Sequence, residues 1–160
     1  MIRIGSGFDV HGFDASRPLI LGGVTIPDHP GLGGHSDADV VSHAVGDSLL
    51  GAVRLGDLGS LFPGTEKWQD ASSLGILTEV VGLLTQRGFS IVNVDATVIA
   101  QRPRLAPHLE TMARNIAAAL QLAPERVSVK ATSTDSLGFT GRGEGIAALA
   151  ASLVEVTDSH

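Results

Sequence analysis

Residues 89–100, FSIVNVDATVIA, decide how the chain folds. Val92, Val94, Ala96 and Val98 alternate with Asn93, Asp95 and Thr97, the two-residue period of a strand with one face buried. On both sides of this strand the period lengthens to that of a helix. Upstream, Ser72 or Ser73 opens a helix in which Leu74, Leu77, Val81 and Leu84 face inward, and Gly88 ends it. Downstream, a helix begins near Pro107 and carries Leu109, Met112, Ile116 and Leu120, after which residues 127–132 alternate again as a strand.

Further out, the opening segment also alternates. Ile2, Ile4, Phe8 and Val10 share one face and Arg3, Asp9 and His11 the other, as a half-buried strand requires. Residues 19–21 and 24–26, split by Gly22 and Gly23, predict a hairpin. A glycine-rich loop at 31–34 leads into HSDADVVSHAVGDSLLGAV (35–53), where Ser36 or Asp37 caps a helix with an apolar stripe of Val41, Ala44, Val45, Leu49 and Ala52. Residues 56–65 read as a loop. The stretch GIAALAASLVEVT (145–157) stays open between helix, which its alanines favour, and buried strand. No repeat, linker or low-complexity tract interrupts the pattern. The expectation is a single α/β (α+β) domain over residues 1–160, with about three helices over a mixed sheet.

The chain has 160 residues, 43% hydrophobic and only 18% charged, enough to bury a core. So apolar a balance in so small a domain implies that other subunits cover part of its surface. No run approaches the roughly 18 apolar residues of a spanning helix, and MIRIGSGFDVHGF is not patterned as a signal peptide. A soluble, cytoplasmic oligomer without membrane contact is expected. Cysteine is absent, which excludes disulfides and thiolate metal sites. The net charge of −6 argues against nucleic acid as a partner, which would need a basic patch. A small phosphorylated ligand is compatible with it, because metals and helix N-termini supply local positive potential.

Asp9 and His11, two apart on a strand, point the same way and can reach one ion; alone, they read first as a hydrogen-bonded structural pair. Asp39, His43 and Asp47 fall along one helix face opposite the apolar stripe, and the plain reading is a solvated polar face. The sharper reading adds His43 to Asp9 and His11. Two histidines and a carboxylate suit Zn²⁺ and leave a fourth position open for substrate or water. Spacing does not show that strand and helix converge, so both readings stand. The glycine segments GSG (5–7), GLGG (31–34) and GFTGRGEG (138–145) match neither a dinucleotide fingerprint nor a P-loop. In KATSTDSLG (130–138), Thr132, Ser133, Thr134 and Asp135 follow a strand end, as a capped turn or as a ligand site.

Five motifs occur in one order: GFDVHGF (7–13), GHSDADVVSHAVGD (34–47), GDLGSLFP (56–63), NVDATVIAQRPRLAPH (93–108) and VKATSTDSLGFTGRGEGIA (129–147). Together they strongly resemble the 2-C-methyl-D-erythritol 2,4-cyclodiphosphate synthase family over nearly the whole chain. The resemblance implies a homotrimer with its sheets facing the central axis and active sites between subunits. It implies one zinc per subunit on Asp9, His11 and His43, with Val10 beside them at the substrate. His35, Ser36, Asp57, Leu58, Gly59 and Phe62 would receive the methylerythritol phosphate portion. Ala100, Gln101, Arg102, Pro103, Arg104, Leu105 and Ala106 would form a cytidine diphosphate pocket with Ala131, Thr132, Ser133, Thr134 and Asp135, and Phe139 and Arg142 would lie nearby. Asp135 would meet Mg²⁺ or Mn²⁺ held by the phosphates, and His35 and Ser133 would stabilise the transition state.

The implied reaction is closure of 4-diphosphocytidyl-2-C-methyl-D-erythritol 2-phosphate to a cyclic diphosphate with loss of CMP, a lyase step of non-mevalonate isoprenoid synthesis. An isoprenoid diphosphate on the trimer axis, touching Arg142, is a further implied ligand. The chain departs from the family pattern at Asp135 (usually Glu), Arg104 (usually Lys) and Ser133 (usually Thr). It departs most in FPGTEKWQDASS (62–73), where Gly64 replaces Asp and one residue is missing. A zinc-dependent phosphohydrolase or nucleotidase, and an inactive trimeric nucleotide-binding regulator, are the competing readings of the same residues.

Overall fold

Five strands form one sheet in the order β2-β1-β5-β3-β4 in a computed structural model that describes residues 1–157. The last three positions of the expected domain, 158–160, lie outside the described residues. Strand β1 (Ile2–Leu21) turns at Gly22 and Gly23 into β2 (Val24–Leu32), the hairpin read from the sequence, with Leu21 opposite Val24. Strands β3 (Phe89–Ile99) and β4 (Val127–Thr132) run parallel, and every other pairing is antiparallel. The ambiguous C-terminal stretch is β5 (Gly145–Val156), the central strand, paired with β1 along one edge and β3 along the other.

Three longer helices cover one face: α1 (Val40–Ala52), α3 (Ser73–Gln86) and α4 (Leu109–Ala119). The alanines of β5 are explained by α1, which lies so close that only small residues fit beneath it. A Cβ on Gly7 of β1 would sit 2.0 Å from the Ala44 carbonyl oxygen, and one on Gly5 would sit 1.9 Å from that of Ser48. Under the same helix, Ser48 and Ser152 share a buried hydroxyl pair.

Several expectations change. The apolar face of β1 is not the buried one: Ile4 is 74% exposed and Phe8 53%, and Ile2, Val10 and Leu149 of β5 share their side of the sheet. The opposite face, with Gly5, Gly7, Asp9 and His11, packs against α1. In β3, a bulge between Ile91 and Asn93 makes Ile91, not Val92, the buried residue that precedes Val94. Helix α1 is capped by Asp39 rather than by Ser36 or Asp37. The expected loop at 56–65 contains a one-turn helix, α2 (Leu58–Leu61), capped by Asp57. A further one-turn helix, α5 (Gly138–Gly141), precedes β5. No helix among the described residues is long and apolar enough to cross a membrane.

Candidate active site

The Asp39 side chain determines where α1 starts. It accepts hydrogen bonds from Ser42 N (3.1 Å) and Ser42 Oγ (2.8 Å) in its own helix, and from Gly22 N (2.9 Å) and Gly23 N (2.8 Å) in the hairpin turn. Burial pushes its carboxyl up, and these donors pull against that shift. The clamp fixes both the height and the rotation of α1 relative to β1. His43, one turn on, therefore faces Asp9 and His11.

The contacts are close. Asp9 Oδ2 lies 2.9 Å from His11 Nε2 and 3.0 Å from His43 Nδ1, and the two ring nitrogens are 3.2 Å apart. His11 Nδ1 donates to the Gly33 carbonyl at 2.7 Å; in the neutral ring this leaves Nε2 with its lone pair facing the cluster, and in the protonated ring Nε2–H is shared with Asp9. Burial works to raise the Asp9 carboxyl, but hydrogen bonds and positive charge from His11 and His43 prevail and hold it well below the usual carboxylate range. Burial lowers His11, and Asp9 more than offsets this, so its pKa is raised. Three ligand atoms within 4.8 Å of one another, on half-buried side chains, need a shared cation, proton or metal. The donor set fits a divalent ion with one open position.

These residues border a cavity of about 260 Å³. His35, Ser36, Leu58, Gly59 and Phe62, residues that the resemblance assigns to the methylerythritol phosphate portion, line it together with Asp47, Gly64, Trp68 and Ile76. Asp47 had been visible as the next turn after His43 but reads as surface in a sequence. Here burial pushes its carboxyl up while it accepts Leu58 N at 2.8 Å, tying α2 to α1. Asp57 does not line the cavity; its carboxylate caps α2 through Ser60 N and Ser60 Oγ, both at 2.8 Å. Val10 is displaced too: its side chain lies on the exposed sheet face, so only its backbone neighbours the Asp9–His11 side. His35 Nε2 donates to the Thr65 carbonyl at 2.7 Å, and Trp68 packs edge-on against Phe62 with ring centroids 4.9 Å apart.

A second cavity of about 590 Å³ is lined by Ala100, Gln101, Arg102, Pro103, Arg104, Leu105, Ala131, Thr132 and Ser133, together with His29, for which the sequence carried no signal. Ala106, Thr134 and Asp135 adjoin it in the chain without lining it. The loop of Thr134 and Asp135 is held by Gln101 Oε1, which accepts Ser136 N at 3.0 Å, and by Ser133 Oγ donating to Asp135 Oδ1 at 3.1 Å. Arg142 faces a third cavity with Gln101 and Arg102, and pairs with Glu144 at 2.9 Å; Phe139 lines none of the three. The first two cavities share no residue, and His35 and Ser133 line separate ones.

The model of the YgbB family matches residues 2–155, from the first strand to the last. The chain belongs to the YgbB family. Among its relatives, the 2-C-methyl-D-erythritol 2,4-cyclodiphosphate synthase of Geobacter sulfurreducens is 54% identical over 96% of this chain and 99% of its own. Among solved structures, the bifunctional IspDF from Campylobacter jejuni superposes with a TM-score of 0.94 at 43% identity. That match covers 99% of this chain but only 43% of the longer one. An IspF from Plasmodium falciparum, solved as a CDP complex, gives a TM-score of 0.86 at 33% identity over 98% of this chain and 97% of its own. The family's fold is thus a mixed sheet with its helices on one face.

Proposed function

We propose that this member of the YgbB family converts 4-diphosphocytidyl-2-C-methyl-D-erythritol 2-phosphate to 2-C-methyl-D-erythritol 2,4-cyclodiphosphate and CMP, as a single-domain cytoplasmic lyase of isoprenoid synthesis. The observation that carries the reading is the convergence of Asp9 Oδ2, His11 Nε2 and His43 Nδ1 beside His35 and Ser36 in one cavity, in a chain 54% identical to a synthase of that name.

The substrate brings its own nucleophile. An oxygen of the 2-phosphate attacks the β-phosphorus, the bond from that phosphorus to the bridging oxygen breaks, and CMP leaves with the electron pair. A phosphomonoester is largely dianionic at neutral pH, its second pKa being about 6, so no protein base has to remove a proton. What the chain must do is fold a self-repelling polyanion into an in-line geometry, a positioning effect worth roughly 7–11 kcal/mol. His35 and Ser36 hold the methylerythritol phosphate end, and Leu58, Gly59 and Phe62 wall it in. Residues 100–106 and 131–135 receive the cytidine diphosphate, with the Ser133 hydroxyl turned to the transferring phosphoryl group. Asp9, His11 and His43 would hold Zn²⁺, and Asp135 would meet Mg²⁺ or Mn²⁺ on the diphosphate; such ions neutralise charge developing on phosphate oxygens.

A homotrimer completes this scheme. The exposed apolar face of β1 and β5 would turn toward the axis, and the metal cavity of one subunit would meet the cytidine cavity of the next. Arg142 would then stand near the axis, where an isoprenoid diphosphate could bind.

The test is direct. With Mg²⁺ and the substrate, purified protein should release CMP and a cyclic diphosphate in equal amounts, read by phosphorus NMR. Free phosphate in place of the ring would make it a hydrolase instead, and the synthase reading would fall. His43→Ala should lose zinc and turnover while keeping its helical circular dichroism; unfolding would mean that the cluster serves the fold.

A further inference from the structure

Beyond the three ligands, the imidazole of His43 has a second side. Its Nε2 lies 2.9 Å from Ser73 Oγ and 3.0 Å from Ser36 Oγ. Ser73 is 1% exposed and opens α3, as the last residue of the divergent loop. Its hydroxyl donates to Asp37 Oδ1 in a short contact, and its backbone N–H donates to Asp37 Oδ2 at 2.9 Å. Asp37 Oδ1 also accepts Asp39 N at 3.2 Å.

The polarity of this chain of bonds is fixed from its acidic end. A carboxylate has no hydrogen to give, so the single hydroxyl hydrogen of Ser73 is committed to Asp37. What Ser73 then offers His43 is a lone pair. The imidazole answers with Nε2–H, and the tautomer that results leaves Nδ1 bare, 3.0 Å from Asp9 Oδ2 and 3.2 Å from His11 Nε2. Ser36 meets the same Nε2, but Ser36 also lines the cavity and, under the proposed function, serves the substrate. Ser73 does not line that cavity and stays with His43 throughout. The Gly33 carbonyl plays the equivalent part for His11, with backbone in place of side chain.

We infer that Asp37 and Ser73 are positioning residues for the metal centre, a carboxylate–hydroxyl relay that holds His43 in its Nε2–H tautomer and aims Nδ1 at the ion. The inference rests on the reading of Asp9, His11 and His43 as metal ligands. It assigns a role to two residues outside the ligand set, and it links the end of the 62–73 loop to metal affinity. Outer partners of ligating histidines typically contribute about 10–100-fold in metal affinity.

The experiment measures zinc affinity of the full chain by competition with a chromophoric chelator, alongside the visible spectrum of the Co²⁺-loaded protein. Ser73→Ala should weaken zinc binding by roughly 10–100-fold and shift the Co²⁺ bands. Ser73→Thr, which keeps the hydroxyl, should restore both. Asp37→Asn, which leaves Ser73 in place but puts a hydrogen-bearing amide against it, should weaken binding in the same direction. Wild-type affinity in Ser73→Ala, or equal loss in Ser73→Ala and Ser73→Thr, would overturn the relay. Should Ser73→Ala fail to fold, Asp37→Asn decides by the same readout. If wild-type protein takes up no zinc at all, it is the ligand reading that fails, a result distinguishable from failure of the relay.

Discussion

Four donors converge on the carboxylate of Asp39: two backbone N–H groups of the hairpin turn and two groups of Ser42 in α1. The side chain is wholly buried, so no water replaces a lost partner. Replacing a capping Asp by Ala costs about 1 kcal/mol, and leaving buried donors unpaired costs about 1–3 kcal/mol more. Asp39→Ala should therefore lose about 3 kcal/mol, a fall in Tm of roughly 6–12 °C for a domain of this size. Thermal unfolding followed by circular dichroism checks it. Asp39→Asn should recover little, because its amide NH₂ would meet N–H donors where the carboxylate now accepts them. Asp39 is thus a residue of the fold that governs the site, since the helix register it sets is what carries His43 to Asp9. From sequence it looked like the first of three acidic and histidine positions on a polar stripe. The stripe is real for His43 and Asp47, but helix geometry makes the residue before the first turn a cap, and the sequence reading places that cap two or three residues earlier, at Asp37 or Ser36.

At the scale of elements, the contact of β1 with α1 is the one the site depends on. Gly7 stands beneath Ala44, one residue from His43, and no side chain fits there. Gly7→Ala would put a methyl group 2.0 Å from a backbone oxygen, so helix and strand must separate. The expected result is a loss of several kcal/mol in stability, on the order of other overpacked cores, together with a fall in zinc stoichiometry. Chemical denaturation and metal analysis on the same sample test the pair. Unchanged zinc content would mean that the separation does not reach His43. The strands at 89–99 and 127–132, the hairpin and the helices α3 and α4 were legible because their apolar spacing is regular and their ends carry turn and cap residues. β5 was not, since alanine is favoured in helices and is here demanded by the closeness of α1. The bulge in β3 was hidden because Ile91 and Val92 are both apolar, and α2 because one helical turn carries no period. In the site, same-face spacing revealed Asp9 and His11, but Trp68, Ile76 and Ser73 come from a loop and a helix start whose approach to the cavity only tertiary structure sets.

For the whole molecule, the sheet carries an unusual asymmetry. One face is closed by three helices. On the other, Ile4 stands beside Leu153 and Phe8 beside Leu149, while the neighbouring strands present Asn93, Asp95, Thr97 and Lys130. The apolar part lies mostly on β1 and β5, with Ile99 of β3 beside Ala147, and a monomer would leave it in water, at roughly 25 cal/mol for each Å² of apolar area. The excess of apolar residues in the composition has its location here. Under the proposed trimer this face is buried and aligns each metal cavity with a neighbour's cytidine cavity, so assembly and turnover should be lost together. Ile4→Lys places a charge on this face, away from Asp9 along β1 and on the opposite side of the sheet. Light scattering should show wild-type protein and Ile4→Val as trimers and Ile4→Lys as a monomer. The monomer should keep its zinc, because all three ligands come from one chain, yet release no CMP, because His35 and Ser133 of one chain line separate cavities. An active monomer would refute the shared site, and a trimer that tolerates the lysine would move the interface elsewhere on the surface.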